Sequence, residues 1–310
     1  MGKRNVNRFK AFFLFAVGRT VLFLLTCWPW PVCRRLANLF GRLGYHMDRD
    51  KRKENSLENL RRVYPELSEA ELRRLLKRVY MHMTCSFVDA FKFVKAVQKG
   101  RGRDLIETRG FEAVDEACRD SGVIFVTGHV GNWELLGAAG PLTDYPTWTV
   151  YRGFRNPFAD RFVRRQRELT GQKTIEKQGA LRRVIRLLRS GENVAFLIDQ
   201  DARHRGIFVD FFDRPASTPP GPARISYSTG APVAFVYAQR QDDGRFRIEV
   251  TDVIRPDREA SRTAEVKRIT QRLTSDLEAV VRKHPEQWLW LHRRWKTWPG
   301  KYEEVAKSNQ

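Results

Sequence analysis

The apolar positions along this chain change their rhythm several times. Residues 11–33, AFFLFAVGRTVLFLLTCWPWPVC, form an apolar run broken by one charge, Arg19. That length suffices to cross a bilayer. A mid-run arginine costs about 2.5–3.5 kcal/mol on insertion scales. Trp28, Pro29, Trp30 and Pro31 read as an interfacial edge, because tryptophan favours the headgroup level. Lys3, Arg4, Arg8 and Lys10 precede the run, and Arg34 and Arg35 close it. Positive charge on both flanks leaves the orientation open. No small-residue cleavage pattern follows, which argues against a signal peptide. A spanning helix, an interfacial helix and a buried amphipathic helix all fit the pattern. The expectation is membrane attachment, by one span or by a helix lying in the interface.

Beyond residue 47 the pattern becomes that of a globular domain. Residues 48–62 are dense in charge and predict a helix. Ser68 with Glu71 three residues on forms a capping box. It opens a long helix with Leu72, Leu75, Leu76, Val79 and Tyr80 on one side. Met81, Met83, Phe87, Phe91 and Phe93 extend that stripe, as core or as the wall of an apolar groove. His82 within it is expected to be a packed core histidine. Short apolar runs then alternate with amphipathic segments. Strands are predicted over 104–108, 123–126, 148–151, 194–198, 231–238 and 246–250. Helices are predicted over 111–120, from Asn156-Pro157, over 179–190 and over 261–284. The polar turn Asp242-Asp243-Gly244 joins the last two strands. Strand–helix alternation predicts an α/β fold with a helix-flanked, mostly parallel sheet. Residues 202–222 carry Gly206, Pro215, Pro219, Pro220, Gly221 and Pro222, and are expected to be a long irregular loop up to about Ala223. Phe208, Phe211 and Phe212 in it are candidates to cover a lipid chain. The ending 288–295, WLWLHRRW, suits either a headgroup layer or a packed aromatic tail.

The central stretch is 121–137, SGVIFVTGHVGNWELLG. Its apolar run has the length and β-branching of a buried strand. Asn132 can cap a following helix, with Trp133 first in it and Glu134 in its first turn. His129 then sits on the loop between strand and helix. A histidine and a carboxylate five residues apart do not share a face of one helix. The break between strand and helix lets them converge. A carboxylate on one ring nitrogen leaves the other to accept a proton. A histidine packed beside a solvated glutamate is the bland alternative. The setting favours chemistry, since ligands bind at the carboxyl ends of strands in open α/β sheets.

Charge narrows the partners. Among 310 residues there are 57 Lys+Arg and 36 Asp+Glu, a formal net charge of +21, with 42% hydrophobic residues. So basic a chain calls for an anionic partner: anionic lipid, a phosphorylated substrate, an acidic carrier protein or nucleic acid. Aromatics are not interleaved with the basic residues as a stacking platform and no nucleic-acid module is visible, so nucleic acid is not expected. Cys27, Cys33, Cys85 and Cys118 show no C-x-x-C or metal spacing and read as reduced.

The G-H-x-G-N-W-E segment resembles the H-x4-D/E motif of the glycerolipid acyltransferases, and its wording resembles the lipid A late acyltransferases of lauroyl and myristoyl type. That branch also includes phosphatidylinositol mannoside acyltransferases. The resemblance extends to Tyr151-Arg152, Asn156-Pro157 with Asp160, Asp199-Gln200-Asp201, 208–212, 218–223 and 285–288. It implies acyl transfer from a thioester, on acyl carrier protein or coenzyme A, to a hydroxyl of a phosphorylated glycolipid, most simply a lipid A precursor. No cofactor or metal is implied. His129 would be the base and Glu134 its orienter. Backbone N–H groups of Gly131 and Asn132 would meet the oxyanion. Arg152 and Arg167 would bind substrate phosphate. The family usually places glycine before that second arginine, where this chain has Gln166, so Arg164 and Arg165 remain alternatives. Asp199 and Asp201 would help to position substrate. The implied division is an anchoring segment over 1–45 and a catalytic domain over 46–310, at the cytoplasmic face of a bacterial inner membrane. A lysophospholipid or phosphatidylinositol mannoside acceptor remains an alternative, as does a basic membrane-bound protein without catalysis.

Overall fold

The computed structural model describes residues 8–118, 121–241 and 243–300. Lys3 and Arg4, the end of the predicted helix at Asp120, and Asp242 of the predicted turn lie outside the described residues.

The apolar run is two helices, α1 (Arg8–Thr26) and α2 (Trp30–Met47), with a break at Cys27–Pro29. The break comes where Pro29 and Pro31 withdraw backbone donors. Alone, α1 remains long and apolar enough to cross a membrane. It presents Phe9, Phe12, Phe13, Val17, Phe23 and Leu24 to the exterior, and α2 adds Leu39, Phe40, Leu43 and Met47. An exposed apolar surface of this kind marks a membrane or partner contact. The opposite side of α2 is buried at Cys33, Ala37 and Gly41. Gly41 lets it approach the Met81 backbone, which a Cβ would strike at 2.6 Å.

Helix α3 (Asp50–Val63) leads to α4 (Glu69–Gln98), which begins at the expected capping box: Ser68 Oγ accepts from the Glu71 amide, and the Glu71 carboxylate accepts from the Ser68 amide at 2.9 Å. A seven-stranded sheet follows: β1 (Ile106–Arg109), β2 (Ile124–Thr127), β3 (Thr147–Tyr151), β4 (Lys173–Glu176), β5 (Asn193–Leu197), β8 (Val233–Arg240) and β9 (Phe246–Ile254), in the order β1-β9-β8-β2-β5-β3-β4. Only the β8–β9 pairing is antiparallel among the sheet's described pairings. The mostly parallel, helix-flanked sheet is therefore as expected. Central β2 is buried at every position, which is why the sequence through Val126 reads as an unbroken apolar run.

The helices between strands are α5 (Glu112–Ala117), α6 (Trp133–Ala139), α7 (Pro157–Leu169), α8 (Ala180–Arg189), α9 (Gly221–Thr229) and α10 (Arg262–Lys283). One layer packs α6 and α7 with α4 and α1; the other holds α8, α9 and α10. Two expectations fail. The 202–222 stretch is not irregular: β6 (Ile207–Asp210) and β7 (Pro215–Thr218) pair as an antiparallel hairpin. Pro215 stands opposite Asp210, whose amide turns outward to Gln271 Oε1 at 2.7 Å, so the missing Pro215 donor costs no ladder bond. Of the two readings of the aromatic ending, the packed tail is the one that forms. Trp288, Trp290 and Trp295 are buried with Phe211 and Phe212 in one aromatic cluster. Phe211 and Phe212 are thus core residues rather than a lipid cover.

Candidate active site

The strand–loop–helix unit forms as the sequence indicates. Asn132 caps α6, its Oδ1 accepting from the Leu135 amide at 3.0 Å, and its Nδ2 donates to the Ser86 carbonyl. His129 stands on the loop after β2, beside Trp133 in an edge-on contact at 4.9 Å.

The carboxylate holding His129 is Asp199, not Glu134. The His129 Nδ1–H donates to Asp199 Oδ1 at 2.7 Å, and the His129 amide donates to Oδ2, also at 2.7 Å. Trp288 Nε1 donates to the same Oδ2 at 3.0 Å. Asp199 is fully buried; desolvation alone would raise its pKa. The His129 charge and these three donors outweigh that and hold it down at about 2. Burial likewise works against a charged His129, but the Asp199 charge and hydrogen bond, aided by Glu134, raise its pKa above the ordinary value. Leu289 donates to the His129 carbonyl at 3.1 Å, so the chain's far end clamps the loop from behind. The role of Trp288 was not legible in the sequence, where it appeared as part of a motif and of the aromatic ending.

Glu134 faces Arg167. The guanidinium reaches its carboxylate through Nη2 at 2.8 and 3.1 Å and Nε at 3.3 Å. Glu134 opens α6 and Arg167 ends α7, and these helices lie in one layer, so the two meet. Arg167 is 11% exposed, with Nη1 buried and unbonded. Two of its three guanidinium nitrogens are thus held by Glu134. Arg152 is exposed on the loop after β3 and lines the same cleft as His129. Arg164 and Arg165 are exposed on α7, and neither lines that cleft. Asp201 accepts from Thr297 Oγ1 at 3.0 Å and from the Arg203 amide at 3.3 Å.

The expected oxyanion donors are also engaged elsewhere. The Gly131 amide donates to Gln287 O at 2.9 Å and the Asn132 amide to Ala238 O at 2.8 Å. Gly131 adopts φ +60°, and a Cβ there would collide with the Ala238 carbonyl. Its glycine serves the close approach of the loop to β8. The Gly131 carbonyl in turn accepts from His82 Nε2 at 3.0 Å. His82 is the core histidine expected, its pKa pushed down to about 3 by burial and by the Arg240 charge.

His129, Trp133, Glu134, Arg152 and Arg167 line a cleft of about 580 Å³ at the carboxyl ends of β2, β3 and β5. Beside it lies a groove of about 360 Å³ between α1, α4 and α7, walled by Phe15, Leu22, Phe91, Phe162 and Val163. Glu134, Arg167, Phe87, Phe154 and Gln172 border both. Phe87 and Phe91 of the stripe therefore wall a groove, while Met83 and Phe93 are core. Asn156 builds its edge, capping α7 and donating to the Ala11 carbonyl at 2.8 Å.

Moving an acyl group onto a hydroxyl asks for a held base at an open cleft, with apolar space for the chain beside it. The chain is an acyltransferase. A family model described as bacterial lipid A biosynthesis acyltransferase matches residues 3–297, and the chain belongs to that family. It is 25% identical to a lipid A biosynthesis acyltransferase of Haemophilus influenzae, over 93% of this chain and 92% of the relative. The lipid A biosynthesis lauroyltransferase of Escherichia coli is 26% identical, over 93% of each chain. A phosphatidylinositol mannoside acyltransferase of Mycolicibacterium smegmatis is 26% identical over 63% of each. The crystal structure of a 1-acyl-sn-glycerophosphate acyltransferase from Thermotoga maritima aligns over 79% of this chain and 98% of its own at 15% identity, with a TM-score of 0.34. The assignment does not rest on it.

Proposed function

We propose that this protein transfers a fatty acyl group from a thioester, on acyl carrier protein or coenzyme A, to a hydroxyl of a lipid A precursor, at the cytoplasmic face of a bacterial inner membrane. The observation that carries the chemistry is the His129–Asp199 pair opening onto the cleft. The names of the full-length relatives support the acceptor. The acceptor hydroxyl gives its proton to His129 Nε2 as its oxygen attacks the thioester carbonyl. The C–S bond then breaks, and the leaving thiolate takes up the proton. Asp199 keeps Nδ1 protonated and stabilises the imidazolium.

In this reading Glu134 is not the orienter. Clamped to Arg167, it fixes the junction between cleft and groove, and adds negative charge near the imidazolium. The groove between α1, α4 and α7 receives the acyl chain. Arg152 at the exposed rim meets an acceptor phosphate. Residues 1–45 place the cleft at the bilayer through the apolar faces of α1 and α2. The mycobacterial relative favours a second acceptor, a phosphatidylinositol mannoside, by the same chemistry.

Lipid mass spectrometry of cells lacking the protein, restored with wild type or His129→Ala, tests the assignment. Restoration of one acylated lipid A species by wild type alone is the expected result. Equal restoration by His129→Ala would sink the catalytic role, and a change confined to another lipid would replace the acceptor.

A further inference from the structure

The arginines of the basic helix α8 stand outside the cleft that holds His129. Residues 177–191, KQGALRRVIRLLRSG, hold Lys177, Arg182, Arg183, Arg186 and Arg189 and no acidic residue. Val184 and Leu188 are buried, so the arginines stand on the outer side. Arg183 stacks on Trp148, its guanidinium carbon 4.6 Å from the ring. Arg182, Arg186 and Arg189 form no ion pair among the described residues. Leu181 is 59% exposed among them, and Leu181 and Lys177 line the mouth of the cleft that holds His129.

The side of the sheet on which α8 lies decides what those charges can meet. The chain steps outward from β3 through α7 to the edge strand β4, then back through α8 to β5. Right-handed crossovers in opposite directions put α7 and α8 on opposite faces. Helix α1, with its exposed apolar side, packs on α7 and α4. Helix α8 packs with α9 instead. The basic face is therefore on the layer away from α1, where lipid headgroups would meet α7 first.

Resting on the acyl-transfer reading above, we propose that the outer face of α8 is the docking surface for a small acidic protein that carries the acyl thioester on a flexible arm. The arginine rows supply steering and orientation. Leu181 supplies an apolar contact at the point where the arm turns into the cleft.

The test compares one acyl group on two carriers. Full-length wild type and the triple variant Arg182→Glu/Arg186→Glu/Arg189→Glu are assayed with the acyl chain on acyl carrier protein and on coenzyme A. The replaced side chains are solvent-exposed and lie outside the cleft lining. The expected result at low salt is a loss of roughly tenfold or more in kcat/KM with the protein-bound donor, and less than threefold with the coenzyme A thioester. Added salt should weaken wild type toward the variant with the first donor only. Equal losses with both donors, or none with the carrier protein, would overturn the docking surface. Loss of co-sedimentation with vesicles containing phosphatidylglycerol would also overturn it, making α8 a membrane face. A wild type that turns over only the coenzyme A thioester removes the docking surface but keeps acyl transfer. One that turns over neither removes both.

Discussion

Asp199→Asn tests the dyad without emptying the site. Two donors, the His129 amide and Trp288 Nε1, meet Oδ2, and one, Nδ1–H, meets Oδ1. The asparagine must turn its NH2 toward one side. Toward the Oδ2 side it would leave two buried donors without an acceptor, at about 1–3 kcal/mol each. Toward the Oδ1 side it faces a single donor, and that conflict vanishes if the ring moves its proton to Nε2. Asparagine therefore selects the Nε2–H tautomer, in which the nitrogen facing the substrate no longer accepts a proton. Such a reversal costs roughly 10³–10⁴-fold in kcat, or about 4–5.5 kcal/mol of barrier. The acid limb of the kcat/KM profile should also move down in pH, because the anion that raises the His129 pKa is gone. The assay is acyl transfer across pH, with thermal melting to verify folding and ¹⁵N NMR of the imidazole to report the tautomer. Turnover within tenfold of wild type, with the fold intact, would refute the assignment.

Three further outcomes are expected. Gly131→Ala should destabilise by about 2–4 kcal/mol in denaturant titration, from its positive φ and the collision with Ala238; a loss under 1 kcal/mol would mean that the loop relaxes freely. His82 carries a depressed pKa in the fold, so the stability tied to its neutral form is complete above pH 6.5 and drains as pH falls toward 3. That gives about 1.4 kcal/mol per unit at most, and His82→Gln should flatten the acid slope by that amount, whereas an unchanged slope would assign it to other groups. Gly18 on α1 borders the groove, and a Cβ there meets nothing within 4 Å. Gly18→Leu should therefore fill space and disfavour the longest acyl chain by roughly tenfold or more, read from the product chain-length distribution; an unchanged distribution would place the chain elsewhere.

Local patterning determined much of this protein by itself. The Ser68 and Asn132 caps, the apolar run of β2, the alternation that builds a parallel sheet and the position of His129 all depend on residues within a turn or two of one another. Short-range hydrogen bonding and periodicity are enough to write them. The β6–β7 hairpin was hidden because Pro and Gly density reads as irregular when a proline's missing donor needs no partner. The pairing of the site was out of reach for a different reason. His129 and Asp199 are 70 positions apart and meet because β2 and β5 are neighbours in the sheet. Trp288 arrives from still farther along the chain. Glu134 is close in sequence, but its location at the start of α6 aims it at Arg167. Which of several carboxylates holds a histidine is a matter of strand order and helix layering, which no local spacing encodes.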